Sequence, residues 1–350
     1  MHIPDGYLSP STCAVMTAAS LPFWAAGLKR VKAAFNARLA PLISVCAAFS
    51  FVVMMFNLPL PGGTTGHAVG VAVAAIVLGP WASMLAISVA LLIQAVFFGD
   101  GGITAFGANC FNMAIAGSFV ADAVYRAIAG AAPLGSRRRV VAAGLAGYVA
   151  LNAAALLAGV EFGLQPLLFH DASGAPLYCP YPLGIAVPAM MLGHLAFAGV
   201  AEGILAAGVV AWLQQNEPSL FEIHAAASRG RAQRIGWAVV LALVFAAPLG
   251  LIATGTAWGE WAVEDFRKPE ARAAVAAASG NVEPPAEAPG GMARLAELWK
   301  APLPDYAPAF LHNSAAGYIL SAGAGVALTG AAALGLQRLV RGARRRNPVG

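Results

Sequence analysis

Nine apolar runs dominate this chain, at about 12–28, 39–59, 67–80, 81–98, 108–130, 140–160, 184–213, 235–254 and 313–336. A membrane crossing takes roughly 20 apolar residues, because the hydrocarbon layer is about 30 Å thick. Backbone groups inside that layer must bond to one another, so such runs fold as helices. Only 11% of the 350 residues are charged, and the mean hydropathy is +0.72. A soluble domain carries about 25% charge. The expected fold is all-α: a polytopic membrane helix bundle of about nine transmembrane helices. The third and fourth runs meet at Gly79-Pro80, which is either a tight turn between two short helices or a break within one long helix.

Basic residues set orientation, because they stay on the cytoplasmic side. Lys29, Arg30, Lys32 and Arg38 follow the first run. Arg126 and Arg137 to Arg139 lie at or after the fifth, and Arg229, Arg231 and Arg234 follow the seventh. Arg338, Arg341, Arg344, Arg345 and Arg346 form the tail. Nine crossings with an extracytoplasmic N-terminus place all of these in the cytoplasm, which favours two helices at Gly79-Pro80. Arg267, Lys268, Arg272, Arg294 and Lys300 share one external segment, about 255–312, with eight acidic residues. The net charge of +5 therefore reads as membrane orientation, and no nucleic-acid partner is expected. The external segment contains VEPPAEAPGG, a linker-like composition, and 214–234 is a second linker with His224 inside it. The domain reading is a seven-span unit over 1–229 and a two-span unit over 230–350 that carries the large external loop 255–312.

The chain begins MHIPDGYLSP, without the basic and apolar regions of a cleaved signal, and the bulk of His2 is expected to keep Met1 in place. An amine and the next amide nitrogen close a five-membered chelate; that amide and the His2 ring close a six-membered one. Three nitrogens in a plane suit Ni(II) or Cu(II). His67 lies in PGGTTGHAVG between runs two and three, so the topology puts it on the same membrane face as His2. It is a candidate fourth nitrogen. Asp100, Thr104 and Asn109, in FFGDGGITAFGAN, are candidates to line or cover the site. Asn109 and Asn112 also fit helix caps.

MHIPDGYLS, GTTGHAVG, LLIQAVFFGDGGITAFGANCFNMAIAG and GHLAFAGVAEGILAAGVVAWL together resemble the CbiM/NikM family over about residues 1–220. These are the substrate-capture subunits of energy-coupling-factor transporters for cobalt and nickel. ATGTAWGEWAVEDF and APLPDYAPAFLHN resemble the NikN/PDGLE-type accessory unit, although the literal PDGLE string is absent. The resemblance implies that the Met1 amine, the His2 amide and ring nitrogens and His67 hold Ni2+ or Co2+ as transported substrate. It also implies cytoplasmic ABC-type ATPase subunits and a transmembrane coupling component as partners, in the bacterial plasma membrane. Four nitrogens in a square favour Ni(II), whereas Zn(II) prefers a tetrahedron and Mg(II) prefers oxygen. Amide deprotonation makes affinity fall as pH drops. Cobalt and nickel stay open as cargo.

Glu202 and His194 lie eight residues apart in the run 184–213, on one helix face. A carboxylate at mid-membrane costs about 2.5–3.5 kcal/mol on insertion scales, so it has a purpose: a polar contact in the bundle, a site for a partner, or part of an ion path. Gln94 and Asn152 read as interhelical hydrogen bonds, and Asp122 with Arg126 as an ion pair. The four cysteines are widely spaced, with Cys179 the one expected to be exposed. There is no GxxxxGK[ST], GxSxG or HExxH, so neither an ATPase site nor another enzyme activity is expected. No organic cofactor is called for. The alternative reading is a self-contained secondary transporter or channel with Glu202, His194 and Gln94 on its path.

Overall fold

The structure, a computed structural model, describes residues 1–33, 39–60, 63–221, 229–308 and 310–346. Arg38 and His224 lie outside the described residues. Helices α1 (Pro10–Ala33) and α2 (Leu39–Met54) precede a two-stranded antiparallel hairpin, β1 (Leu58–Leu60) and β2 (Thr64–Gly66), with Leu58 opposite Gly66. Next come α3 (Val71–Leu78), α4 (Pro80–Phe98), α5 (106–129), α6 (Arg137–Leu168) and α7 (Leu183–Asn216). The C-terminal part holds α8 (Arg229–Ala246), two short helices, α9 (Pro269–Ala278) and α10 (Gly290–Ala296), and α11 (Ser314–Arg346).

Among the described residues, six helices are long and apolar enough to cross a membrane: Pro10–Ala33, Pro80–Phe98, Arg137–Leu168, Leu183–Asn216, Gln233–Ile252 and Ser314–Gly335; Pro41–Met54 is a shorter apolar one. The chain is a multi-pass membrane protein. Two helices do meet at Gly79-Pro80. Gly79 has φ 78° and ψ 161°, a conformation essentially confined to glycine, and Pro80 opens α4. The eight residues of α3 reach only about 12 Å, too short to cross unaided. Its side chains are buried nearly all round, as befits a wholly apolar helix.

Three helices each contain a π-helical turn, at Gln94–Phe98, Cys110–Ala116 and His194–Ala198. Such turns are costly and gather at functional positions. Here they hold Gln94, Asn112 and His194. In the C-terminal part, α8 and α11 pack on α2. Phe51 of α2 reaches Phe98 and Tyr306, with ring centroids 5.4 and 6.2 Å away.

The linker-like stretch after α9 is clamped. The Arg272 guanidinium donates to the carbonyls of Phe266 at 3.1 Å, Pro284 at 3.0 Å and also Pro285. Cys179, read as exposed, is fully buried, and its backbone N–H donates to the Tyr7 carbonyl at 3.0 Å. Asn152 does not bridge helices: its side chain donates to the Tyr148 carbonyl one turn back. Arg126 and Asp122 do pair, at 2.8 Å.

Candidate metal site

Residues 1–9 run as irregular backbone through the end of the bundle that the segment 255–312 covers. Irregular backbone survives burial only if its N–H and C=O groups find partners. Asn109 accepts from the Ile3 N–H at 2.8 Å and donates back to the Ile3 carbonyl at 3.0 Å. Gly102 N–H donates to that carbonyl at 2.8 Å, and its backbone passes so close to Pro4 and Asp5 that a side chain at 102 has no room. The Asp5 carboxylate accepts from Ile103 N–H at 3.1 Å, Thr104 N–H at 2.8 Å and the Thr104 hydroxyl at 2.5 Å. Gln165 accepts from Ser9 N–H at 2.9 Å, and the Tyr7 hydroxyl donates to the Trp261 carbonyl at 2.9 Å.

Thus Asn109 bonds the backbone of the N-terminal segment and Thr104 its Asp5 carboxylate; neither is hydrogen-bonded to a candidate ligand. Neither Asn109 nor Asn112 caps a helix; Asn112 donates to Glu161 at 2.9 Å.

The segment ends in a buried pair of candidate ligands. The Met1 amine is ion-paired to Glu260 at 2.8 Å, its side chain 1% exposed. The His2 ring donates from Nδ1 to Asp100, and its Nε2 is buried without a partner. Asp100 also accepts from Gln94 at 3.0 Å and from the Tyr306 hydroxyl at 2.5 Å. Burial alone pushes the Asp100 carboxyl up; the charge and hydrogen bond of His2, then His67 and Tyr306, overcome that and hold it below the usual carboxylate range. Asp100 is therefore an anion.

The His67 ring lies 4.9 Å from that of His2, centroid to centroid, at 65°. Nitrogens bound to one ion at about 2.0–2.1 Å lie no more than roughly 4 Å apart, so the two rings are within reach of a common ion. His67 Nδ1 donates to the Ala68 carbonyl at 3.0 Å, which leaves Nε2 as a bare lone pair.

Glu202 fixes the loop that carries His67. Its carboxylate accepts from Val69 N–H at 2.7 Å, Gly70 N–H at 2.8 Å and Ala72 N–H at 3.4 Å. These are the unpaired amides at the start of α3, where a negative charge is favoured. Ser50 donates to the Val69 carbonyl at 2.8 Å. His194 donates to the Met190 carbonyl at 2.7 Å, and its Nε2 is buried without a partner; no bond joins it to Met1, His2 or His67.

Beside the site, a cavity of about 450 Å³ is lined by His67, Asp100, Glu260, Asp265, Asp305 and Tyr306 among others. Among the described residues no group of three or more His, Cys, Asp or Glu is placed to hold a metal. A metal reading therefore rests on two imidazoles and the main-chain nitrogens of Met1-His2. The sequence reading missed Asp5, Glu161, Gln165, Glu260 and Tyr306. Of these, Glu260 stands out locally as an acid between two tryptophans in WGEW, but nothing in that string says what it meets.

Known proteins match this chain along its length. The family described as "Cobalt uptake substrate-specific transmembrane region" (CbiM) matches residues 2–220, and the PDGLE domain matches 232–342. The fused nickel transport protein NikMN of Rhodobacter capsulatus is 62% identical over 346 residues, covering 99% of each chain. The cobalt transport protein CbiM of Geobacter sulfurreducens is 36% identical over 250 residues, covering 69% of this chain and 68% of that one. A crystal structure of a truncated transition metal transporter is 49% identical, with a TM-score of 0.58, and covers 61% of this chain and 99% of that one. With most of its length matched in this way, the chain belongs to the CbiM/NikM family, in the fused form that carries a PDGLE-type unit.

Proposed function

We propose that this chain captures Ni2+ or Co2+ at the outer face of the bacterial plasma membrane for an ATP-driven importer of the energy-coupling-factor class. Met1 supplies its amine, His2 its amide and ring nitrogens, and His67 its ring. The observation that carries this reading is the 4.9 Å approach of the His2 and His67 rings, next to a buried Met1 amine. A six-membered chelate would use His2 Nδ1, which now donates its proton to Asp100. For capture that proton must leave Nδ1, so that the neutral ring carries its N–H on Nε2, and Asp100 gives up the bond.

The chain lacks an ATPase motif, so in this reading cytoplasmic ABC-type ATPases and a transmembrane coupling component drive the import. The seven-span unit is 1–229 and the two-span unit 230–350. The N-terminus lies outside, and the third of nine crossings is made by the loop 67–70 together with α3. The basic clusters support that orientation. A secondary transporter or channel with Glu202, His194 and Gln94 on an ion path fits less well: His194 is tied to the Met190 carbonyl of its own helix. Glu202 is engaged by the amides that open α3, and Gln94 by Asp100 and Tyr306.

One residue added before Met1 tests the reading, since it moves the amine out of the chelate. High-affinity Ni2+ binding by the purified protein is then lost; a normal titration curve overturns the assignment.

A further inference from the structure

Glu260 sits at the Met1 amine although it comes from the far end of the chain, 259 residues away. Its position is built, not incidental. Gly259 has φ 81° and lies against the Phe162 ring, where a side chain has no room. Trp258 and Trp261 on either side are buried. Trp258 donates to Ser279 at 3.1 Å and packs edge-on against Phe162, with centroids 5.7 Å apart. The Trp261 carbonyl receives the Tyr7 hydroxyl of the N-terminal segment. The turn is thus fastened to α6 on one side and to residues 1–9 on the other, and the carboxylate between the two tryptophans faces the amine.

We propose that Glu260 is a positioning residue for the metal site, so that the C-terminal unit completes the surroundings of an ion bound by the N-terminal one. This rests on the reading of the Met1 amine as a ligand. An ammonium has three N–H bonds and a coordinated amine keeps two, so Glu260 can accept from the amine before and after capture. Asp100, in contrast, must release His2 Nδ1. Glu260 is the contact that persists and aims the amine lone pair. A divalent ion bound to one deprotonated amide keeps a net charge of about +1, and a fixed carboxylate beside it lowers the energy of that centre. Carboxylates that hold the remaining N–H bonds of a metal ligand orient it in the same way.

The test uses the full chain in detergent, with Ni2+ as the probe. Affinity is measured by chelator competition, with the visible absorption of the amide-bound Ni2+ as a signature. The rate at which an amine-directed acylating reagent labels Met1 is measured without metal. Glu260→Ala should weaken Ni2+ binding about 10–100-fold, the range for outer partners of a metal ligand. It should also speed Met1 labelling and shift the absorption band. Glu260→Gln, which keeps an acceptor oxygen but no charge, should recover part of the affinity and slow the labelling again. If Glu260→Ala does not fold, the isosteric Glu260→Gln carries the test by itself, with weakened binding as the supporting result. Wild-type affinity and labelling in these variants, while His67→Ala still abolishes binding, overturn the role of Glu260 and leave the ligand assignment standing. Normal binding in His67→Ala and in the N-terminally extended chain overturns the assignment itself.

Discussion

Residues 1–9 and the segment 255–312 are both largely irregular, yet they are held by opposite means. The first is nearly all buried; Asn109, Gly102 and Gln165 bond its backbone, and Thr104 holds its Asp5 carboxylate. The second is largely exposed and is held at separate points: the Arg272 clamp, the two tryptophans, and Tyr306 on Asp100. A buried segment bonded at several points along its backbone keeps its atoms within the few tenths of an ångström that metal ligation needs. A segment fixed at points can shift between them and still keep a chosen side chain in place. Of the three candidate ligand residues, Met1 and His2 sit in the first region; Glu260 on the Met1 amine and Tyr306 on Asp100 come from the second.

Removing a ligand should give the largest effect. His67→Ala is expected to cut Ni2+ affinity by more than about 100-fold, beyond what the loss of an outer partner brings. Thermal unfolding should barely move, because the loop is anchored by Glu202 and Ser50 and not by the imidazole. Titration of the variant with an unchanged affinity removes His67 from the site.

Asn109→Ala comes next. It deprives the buried Ile3 N–H of its acceptor, a penalty of about 1–3 kcal/mol. The N-terminal segment loosens and Ni2+ binding should weaken by roughly 10-fold, since about 1.4 kcal/mol corresponds to that factor. Equal affinity in this variant would mean that the segment is not held by its backbone bonds, and the contrast drawn above would fail.

How much of this was legible in the sequence depends on the range of the signal. Helices declare themselves through runs of about 20 residues, and those runs appear at nearly the positions read from composition. Met1, His2 and His67 were picked out as candidates because metal chemistry restricts residue types, and Asp100 because it neighbours a glycine-rich turn; the structure brings the His2 and His67 rings together and bonds His2 to Asp100. Glu260 and Tyr306 were not picked out. Each meets its partner across more than 200 residues, and no local period or spacing encodes such a contact. Tyr306 also follows Asp305 in a left-handed turn, with φ of 59° and 53°. Non-glycine residues adopt that conformation rarely, and the sequence APLPDYAP does not announce it. Cys179 was misread for a related reason: a loop position looked exposed until residues 1–9 covered it.

Tyr306→Phe sharpens the comparison from the supporting side. It removes the hydroxyl that donates to Asp100 and accepts from Gln94, and leaves the bond between Gln94 and Asp100, the Phe98 stacking and the ion pair at Met1 intact. Binding should weaken by only a few-fold, below the about 10–100-fold typical of a sole outer partner. A loss as large as that of His67→Ala would make Tyr306 a ligand and not a support.

Arg272→Ala probes the point-wise hold directly and should have the smallest effect on the metal. Three carbonyls, those of Phe266, Pro284 and Pro285, lose their donor. The bonds are part-buried and the Arg272 side chain is itself partly exposed, so water can replace some of what the guanidinium gives, and the cost stays near the lower end of the about 1.5–3 kcal/mol for a hydrogen bond to a charged group. Limited proteolysis should then cut within 279–289 faster than in the parent. Ni2+ affinity should change less than about two-fold, because Trp258 on Phe162 and Trp261 on Tyr7 anchor Glu260 outside the clamped stretch. Faster cleavage with unchanged affinity separates the two kinds of hold. A matching loss of affinity would show instead that the segment moves as one rigid piece, and that the site depends on its whole surface and not on the contact at residue 260.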